Sequence, residues 1–235
     1  MLKLKRFYQT VAAVKTDEGH YAVLLDRRSV KTPAGQALAL PTQVLAEAIA
    51  DEWRSQQQMI DPETMPLMKL WATSVDRTGP YRQQVIEDLM RFTSTDLLCY
   101  RDEGEDELAA RQAASWQPLL DWAAQDLGLR LHVTRGVIPV QQPEMTFTAL
   151  SGILAKLNNA ELTALATVAQ ISSSVVIGLA VLLVKIDAKV AYELTFLDEH
   201  YQAERWGEDA EAVGRRKHCF DELMAAEMFL RLNRT

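Results

Sequence analysis

The chain has 235 residues, 48% hydrophobic and 24% charged, with 25 Lys and Arg against 32 Asp and Glu. That length can bury roughly 70% of the unfolded surface, and the composition is that of a soluble globular protein. A net charge of −7 leaves no basic surplus to neutralise phosphates, which argues against nucleic-acid binding, and two cysteines are too few for a disulfide framework.

The start, "MLKLKRFYQTVAAVK", is basic but has no long apolar stretch and no small-residue cleavage site, so it does not read as a secretory signal. Phe7 to Lys15 reads as a strand, Asp17 to Gly19 as a turn, and "HYAVLLD" as a second, stronger strand. "RRSVKTPAGQALALP" gives a short strand, a Pro-Ala-Gly turn and another short strand ended by Pro41. Successive hairpins make an antiparallel meander, one face of which something must cover. The next segment supplies it. Thr42 is placed to cap a helix on which Val44, Leu45, Ala48, Ile49 and Trp53 share a face.

After "QQQMIDPETMP" the pattern is almost wholly helical. Pro66 suits a first helical turn, with Leu67, Leu70 and Trp71 behind it. Pro80 opens a helix with Val85, Ile86, Leu89 and Met90 on its apolar face. "EDELAARQAASWQPLLDWAAQDLG" predicts two helices, bent or broken at Pro118 and closed by Gly128. "LRLHVTRGVIPV" alone looks extended. Helical patterns then cover 143–158, 161–170, 173–186, 187–205 and 209–232. The most apolar run, Val175 to Val184, is too short to span a bilayer and predicts a helix buried among helices. The fold class is therefore α+β. A small N-terminal antiparallel β-rich domain with one helix, residues 1–60, precedes a larger multihelical domain, residues 61–235. The boundary is expected between Trp53 and Met65.

Catalytic signatures are missing. The histidines His20, His132, His200 and His218 have no second His or Cys at ligand spacing, so no metal site is expected. "RTGPYR" and "TPAGQ" are turns, not phosphate loops, and no serine sits in a Gly-x-Ser-x-Gly elbow. Ser151 and Lys156 are five apart, outside the Ser-x-x-Lys spacing. Cys99 has no nearby His and Cys219 only the adjacent His218, which on a helix faces away from it; both thiols read as inert. No cofactor is expected and the chain is read as no enzyme. An enzyme using helical-domain carboxylates, or a general interaction scaffold, stand as the alternatives. Trp53, Trp71, Trp116 and Trp122 read as core. Asp96 and Arg101 form a buried ion pair or hold the chain between helices. Arg215 to His218 reads as a solvated face, with Glu211 and Arg215 in the favourable i,i+4 order.

Within 187–205, Val190, Leu194, Leu197 and Tyr201 form a core stripe. A second stripe, Tyr192, Thr195, Glu199, Gln202 and Trp206, is amphipathic and ends at Gly207. A mixed stripe with aromatics at both ends suits an interface, although packing on a neighbouring helix would produce it too. Gly207 is a helix breaker, Asp209 an N-cap, and Glu211 an acid in the first turn of the last helix, where the helix dipole favours it. Capping accounts for those acids and leaves Glu199, Gln202 and Trp206, with Glu208 beside them, unexplained.

Seven stretches in order resemble one family: "RFYQ" (6–9), "LLDRRSVKTPAGQALALPT" (24–42), "LAEAIADEWRSQ", "MPLMKLWATSVDR", "TDLLCYR", "WQPLLDW" (116–122) and "LDEHYQAERWGEDAEA" (197–212). It is the assembly chaperone of the F-type ATP synthase that acts on the alpha subunit of the catalytic head, known from mitochondria and alphaproteobacteria. The resemblance runs from Lys5 to about Arg216. It implies a β-rich domain followed by a helical one, no catalysis, no cofactor, and binding of the unassembled alpha subunit until a beta subunit replaces the chaperone. It further implies a chain that is monomeric when free, binds no nucleic acid, does not insert in membranes, and works in the bacterial cytoplasm or mitochondrial matrix. With the stripe, it points to Glu199, Gln202, Trp206, Gly207, Glu208, Asp209 and Glu211 as the partner-binding residues. Three positions, in two places, depart from the family. Where it reads Asp-Gly-Arg-Pro, this chain has Asp26, Arg27, Arg28 and Ser29, which predicts a different turn geometry; Gln9 replaces the expected Lys as a surface change.

Overall fold

In the computed structural model, which describes residues 4–234, the chain begins with β1 (Leu4–Lys5), β2 (Val11–Lys15), β3 (Tyr21–Leu25) and β4 (Arg28–Ser29), followed by α1 (Gln43–Ser55) and β5 (Met59–Ile60). β2, β3 and β4 form an antiparallel sheet in sequence order, with Val11 opposite Leu25 and Lys15 opposite Tyr21. β1 pairs with β5 in a separate two-stranded sheet. That puts a strand inside the segment read as a connection. The meander is present through β4, while the short strand expected before Pro41 is reduced to isolated bridges at Ala37 and Leu40, and α1 packs on β2 and β3.

Thr42 caps α1 as expected, accepting from the Leu45 N–H at 3.2 Å, and its hydroxyl donates to the Leu232 carbonyl at 2.6 Å. Leu45, Ala46, Ile49 and Ala50 are fully buried, whereas Val44, expected on that face, is 42% exposed. The buried stripe is centred one residue further round, because two alanines let the helix lie close to the sheet. The turn between β3 and β4 is Asp26-Arg27. The positive φ of 56° falls on Asp26 and not on Arg27. The Asp26 carboxylate fixes it by accepting from Gln9 N, Thr10 N and Thr10 Oγ1. Those bonds hold its pKa below the usual carboxylate range.

α2 (Pro66–Thr73) starts on Pro66, as the sequence predicts, with Leu67, Leu70 and Trp71 buried. Its first free N–H groups, Leu67 and Met68, donate at 2.7 and 2.8 Å to the Glu52 carboxylate on α1. Burial lifts the Glu52 pKa to about 7 against the pull of those two bonds. A π-helical turn, Ser74–Thr78, follows.

The chain divides into two compact units, Met1–Arg82 with Met228–Thr235, and Gln83–Glu227. The change from strand to helix in the sequence falls near residue 60, but α2 packs on α1 and so stays with the first unit. The end of the last helix belongs there too: Phe229 is fully buried, with its ring 6.3 Å from that of Trp71.

The second unit holds α3 (Arg82–Thr95), β6 (Tyr100–Arg101), α4 (Asp106–Asp126), β7 (Thr134–Arg135), α5 (Glu144–Lys156), α6 (Asn159–Ser172), α7 (Val175–Leu182), α8 (Ala188–Thr195), α9 (Leu197–Trp206) and most of α10 (Ala210–Arg234). α4 is continuous through Pro118, against the expected break. A proline costs a helix one hydrogen bond and a local clash; here Trp116, Leu119, Leu120, Trp122 and Ala123 are buried on both sides of it and hold the helix together. β6 and β7 pair in parallel, which accounts for the extended stretch around 129–140.

All eight residues of α7 are buried, and no described helix is long and apolar enough to cross a membrane. α7 lies close against α6 at Gly178. A Cβ there would stand 2.7 Å from Leu165 Cδ1 and 3.2 Å from the Leu165 carbonyl oxygen. Gly178→Ala is expected to cost about 1–3 kcal/mol by overpacking, read as a lowered denaturation midpoint in urea at unchanged m-value. A midpoint equal to wild type would show that α6 and α7 can move apart freely.

Candidate partner-binding site

The 187–205 segment is not one helix. α8 ends and α9 begins at Phe196, whose φ of −103° and ψ of 18° leave the α region. The two stripes therefore do not run straight across it. Asp187 caps α8, accepting from Val190 N at 2.8 Å. That leaves Val190 in an outer first turn, 43% exposed, where a core position was expected. Leu194 and Tyr201 are buried as predicted. Tyr192 turns away from the second stripe. Its ring packs on Phe196 at 5.0 Å, Phe220 at 5.2 Å and His200 at 5.5 Å.

α9 is fastened to α4 by charge. Arg111 reaches Glu204 at 2.7 Å, and Arg205 reaches Glu107 at 2.7 Å. The two guanidinium carbons lie 4.9 and 4.4 Å from the centroid of the buried Tyr201 ring. Hydrogen bonds from Arg205 and Arg111 hold the Glu107 pKa below its ordinary range. Glu204 thus has a structural partner.

Past Trp206 the chain turns at Gly207, with φ 87° and ψ 167°. That region is open essentially to glycine alone, since a Cβ would be strained there by about 1–3 kcal/mol. Asp209 then accepts from Ala212 N at 3.0 Å, as an N-cap does, and Glu211 lies exposed in the first turn of α10.

Arg216 organises what lies between. Its side chain is only 6% exposed, and it donates to Glu208 at 2.9 Å and to Glu199 at 3.4 Å. Arg215 adds a bond to Glu199 at 2.8 Å, and that carboxylate raises the Arg215 pKa. Two expectations change. The basic run is not wholly a solvated face, because Arg216 is buried. Arg215 pairs back to α9 at Glu199, not along its own helix to Glu211, because α10 lies beside α9 with the acid within reach.

Of the seven expected residues, Glu199 and Glu208 are joined through Arg216. Gln202 and Trp206 stand exposed one turn apart on α9, Trp206 at 72%. Gly207, Asp209 and Glu211 form the bend that carries Glu208. Beside Glu208 and Arg216 opens a cleft of about 270 Å³, lined also by Tyr192, His200, Val213 and Phe220. The sequence reading missed Arg216, Val213 and Phe220. Arg216 and Phe220 sit four apart on α10, a spacing that could have drawn attention had the charge run not been read as surface.

Elsewhere the chemistry is structural. Asp96, fully buried, accepts from Leu98 N at 3.1 Å and from Val176 N at 3.2 Å. Arg101 donates to the Leu98 carbonyl and lies over the Trp116 ring at 5.1 Å. Both residues hold the chain between helices. Burial pushes the Cys99 thiol up to about 12, far from a reactive thiolate.

A family model described as ATP12 chaperone protein matches residues 5–124. The mitochondrial protein atp12 of Schizosaccharomyces pombe is 28% identical, over 89% of this chain and 76% of its own. The crystal structure of ATP12 from Paracoccus denitrificans is 40% identical and superposes with a TM-score of 0.91, covering 97% of this chain and 98% of that one. A solved protein of Agrobacterium tumefaciens, 36% identical, gives 0.93 over 98% of this chain and 86% of its own.

Proposed function

We propose a function from one premise: the chain belongs to the ATP12 chaperone family. It is a chaperone for assembly of the F-type ATP synthase. It holds the unassembled alpha subunit and keeps it from aggregating until the beta subunit takes its place. The observation that carries this reading is the family match, together with a likeness to a solved ATP12 over nearly the full length of both chains.

The physics of the task supports it. A subunit made before its partners exposes large apolar interfaces, which are aggregation hazards. A cover that must later yield needs a moderate, partly polar contact. The α9–α10 edge has that character, with an exposed tryptophan, carboxylates held by Arg215 and Arg216, and a cleft of mixed polar and apolar lining. Binding to the folded client stabilises it by mass action, so displacement by the beta subunit requires no energy source.

A hydrolase is the weaker reading. Glu193 and Glu204 line a common cleft of about 340 Å³ with His200 and Arg111. Both acids are exposed, and acid–base catalysis draws on carboxylates that burial has set apart.

Trp206 is the expected anchor. Trp206→Ala should weaken capture of purified alpha subunit by about 2 kcal/mol, roughly thirtyfold, with thermal stability unchanged because the ring is exposed. Titration calorimetry with alpha and with beta subunits separates the cases. If soluble alpha is not held by the wild-type chain, the alpha-subunit reading goes. If alpha binds the variant as tightly as wild type, the site lies elsewhere.

A further inference from the structure

The first unit carries a feature that the acidic edge does not account for. A groove of about 810 Å³ opens there. Leu4, Phe7, Ile60, Met65, Met68 and Ala72 make its apolar lining. Leu4 and Phe7 are each 65% exposed, so this wall of the groove lies open to solvent. Contiguous exposed apolar surface of this kind marks interaction sites on soluble proteins.

The rim is cationic in a chain that is acidic overall. Lys31 and Arg77 both line the groove and both are exposed. Neither has an acidic partner among the described residues, and the carboxylate of the neighbouring Asp76 is already engaged. Thr32 Oγ1 donates to it at 2.6 Å, and Ala34 N–H at 3.0 Å. Those two bonds hold the 32–34 turn against the π-helical turn and leave the two cations facing solvent. The wall is adaptable, since Met65 and Met68 are unbranched and polarizable.

The volume alone would admit a small molecule. Leu4 and Phe7 leave one wall open to solvent, so the groove is a trough and not an enclosed cavity, and this favours a polypeptide. We infer that the groove takes an apolar stretch of the client polypeptide that is flanked by an aspartate or glutamate, which meets Lys31 and Arg77. This inference rests on the alpha-subunit reading above. The charge match is opposite to that of the 199–211 edge, where carboxylates are presented, so the two surfaces select different segments.

The test uses the full-length chain and purified alpha subunit. Phe7→Ser removes exposed apolar surface, and the double variant Lys31→Glu, Arg77→Glu reverses the rim. All three side chains are exposed, and circular dichroism melts establish that each variant folds. Each variant is expected to weaken alpha binding at least about tenfold, and the double variant should flatten the salt dependence of binding. An Ala34→Cys variant carrying a photo-crosslinker should label, in the complex, an alpha-subunit peptide with apolar residues beside an Asp or Glu. Wild-type binding with both groove variants at full affinity overturns the groove and leaves the client reading standing. Absence of wild-type binding overturns the client reading and the groove with it. A crosslinked peptide that lacks an acid overturns the charge match.

Discussion

Asp96→Ala is expected to destabilise the second unit by roughly 3 kcal/mol or more. The carboxylate is fully buried and takes N–H groups from two places that are far apart in sequence. One is Leu98, in the turn after α3. The other is Val176, at the start of α7. Alanine leaves both donors buried without partners, at about 1–3 kcal/mol each, and removes an anion from a helix N-terminus. The substitution also has a pH signature. Burial raises the Asp96 pKa to about 6, although hydrogen bonds from Ser174, Val176, Leu98 and Val175 work to lower it. The folded state therefore binds the proton more tightly than the unfolded chain does. The contribution is fully present below the unfolded pKa of 3.8 and is lost as pH rises through 6, by on the order of 3 kcal/mol. Urea titrations of wild type and Asp96→Ala at pH 4 and pH 7 check this: the gap between them should narrow with rising pH. A constant gap would mean that Asp96 stays ionised throughout.

How far the sequence reveals this protein depends on the range of each interaction. The Thr42 cap, the Pro66 start, the buried α7 and the Asp209 cap were all legible, because each is decided within a few residues. Pro118 was misleading for the opposite reason: burial of Trp116 and Trp122 overrides a local helix breaker. The kink at Phe196 carries no proline or glycine to announce it. Glu52 capping α2 from α1, and Phe229 returning to the first unit, are tertiary events with no local signal. The acidic stretch was legible as a candidate surface. Its wiring was not, because the sequence cannot say that Arg216 turns inward while Lys217 stays exposed. The groove escaped notice because its lining comes from four separate segments, which read one by one as a basic start, a turn and helix faces.

Arg216→Glu is the sharpest test of that wiring. The wild-type guanidinium is buried and bridges Glu199 on α9 to Glu208 in the loop. A carboxylate in its place would bring a third acid beside Glu199, which keeps its bond to Arg215, and Glu208. Leaving a buried charge unpaired costs roughly 3–5 kcal/mol. Glu199 and Glu208 are themselves partly in water, at 35% and 61% side-chain exposure, so the lower end of that range is expected. The damage should be local. Gly207 is held in a glycine-only conformation, and the bend loses the side chain that ties Glu208 back to α10. Hydrogen exchange at 203–213 should accelerate more than at α4 or α7, and alpha-subunit affinity should fall at least about tenfold. Arg216→Leu separates the two roles of the residue. It keeps the packing and leaves the acids unbridged, without adding a third charge. Stability near wild type with weakened binding would assign Arg216 to presenting the acids. Stability lost with affinity retained would make it a core residue, and the client would then not be recognised through Glu199 and Glu208.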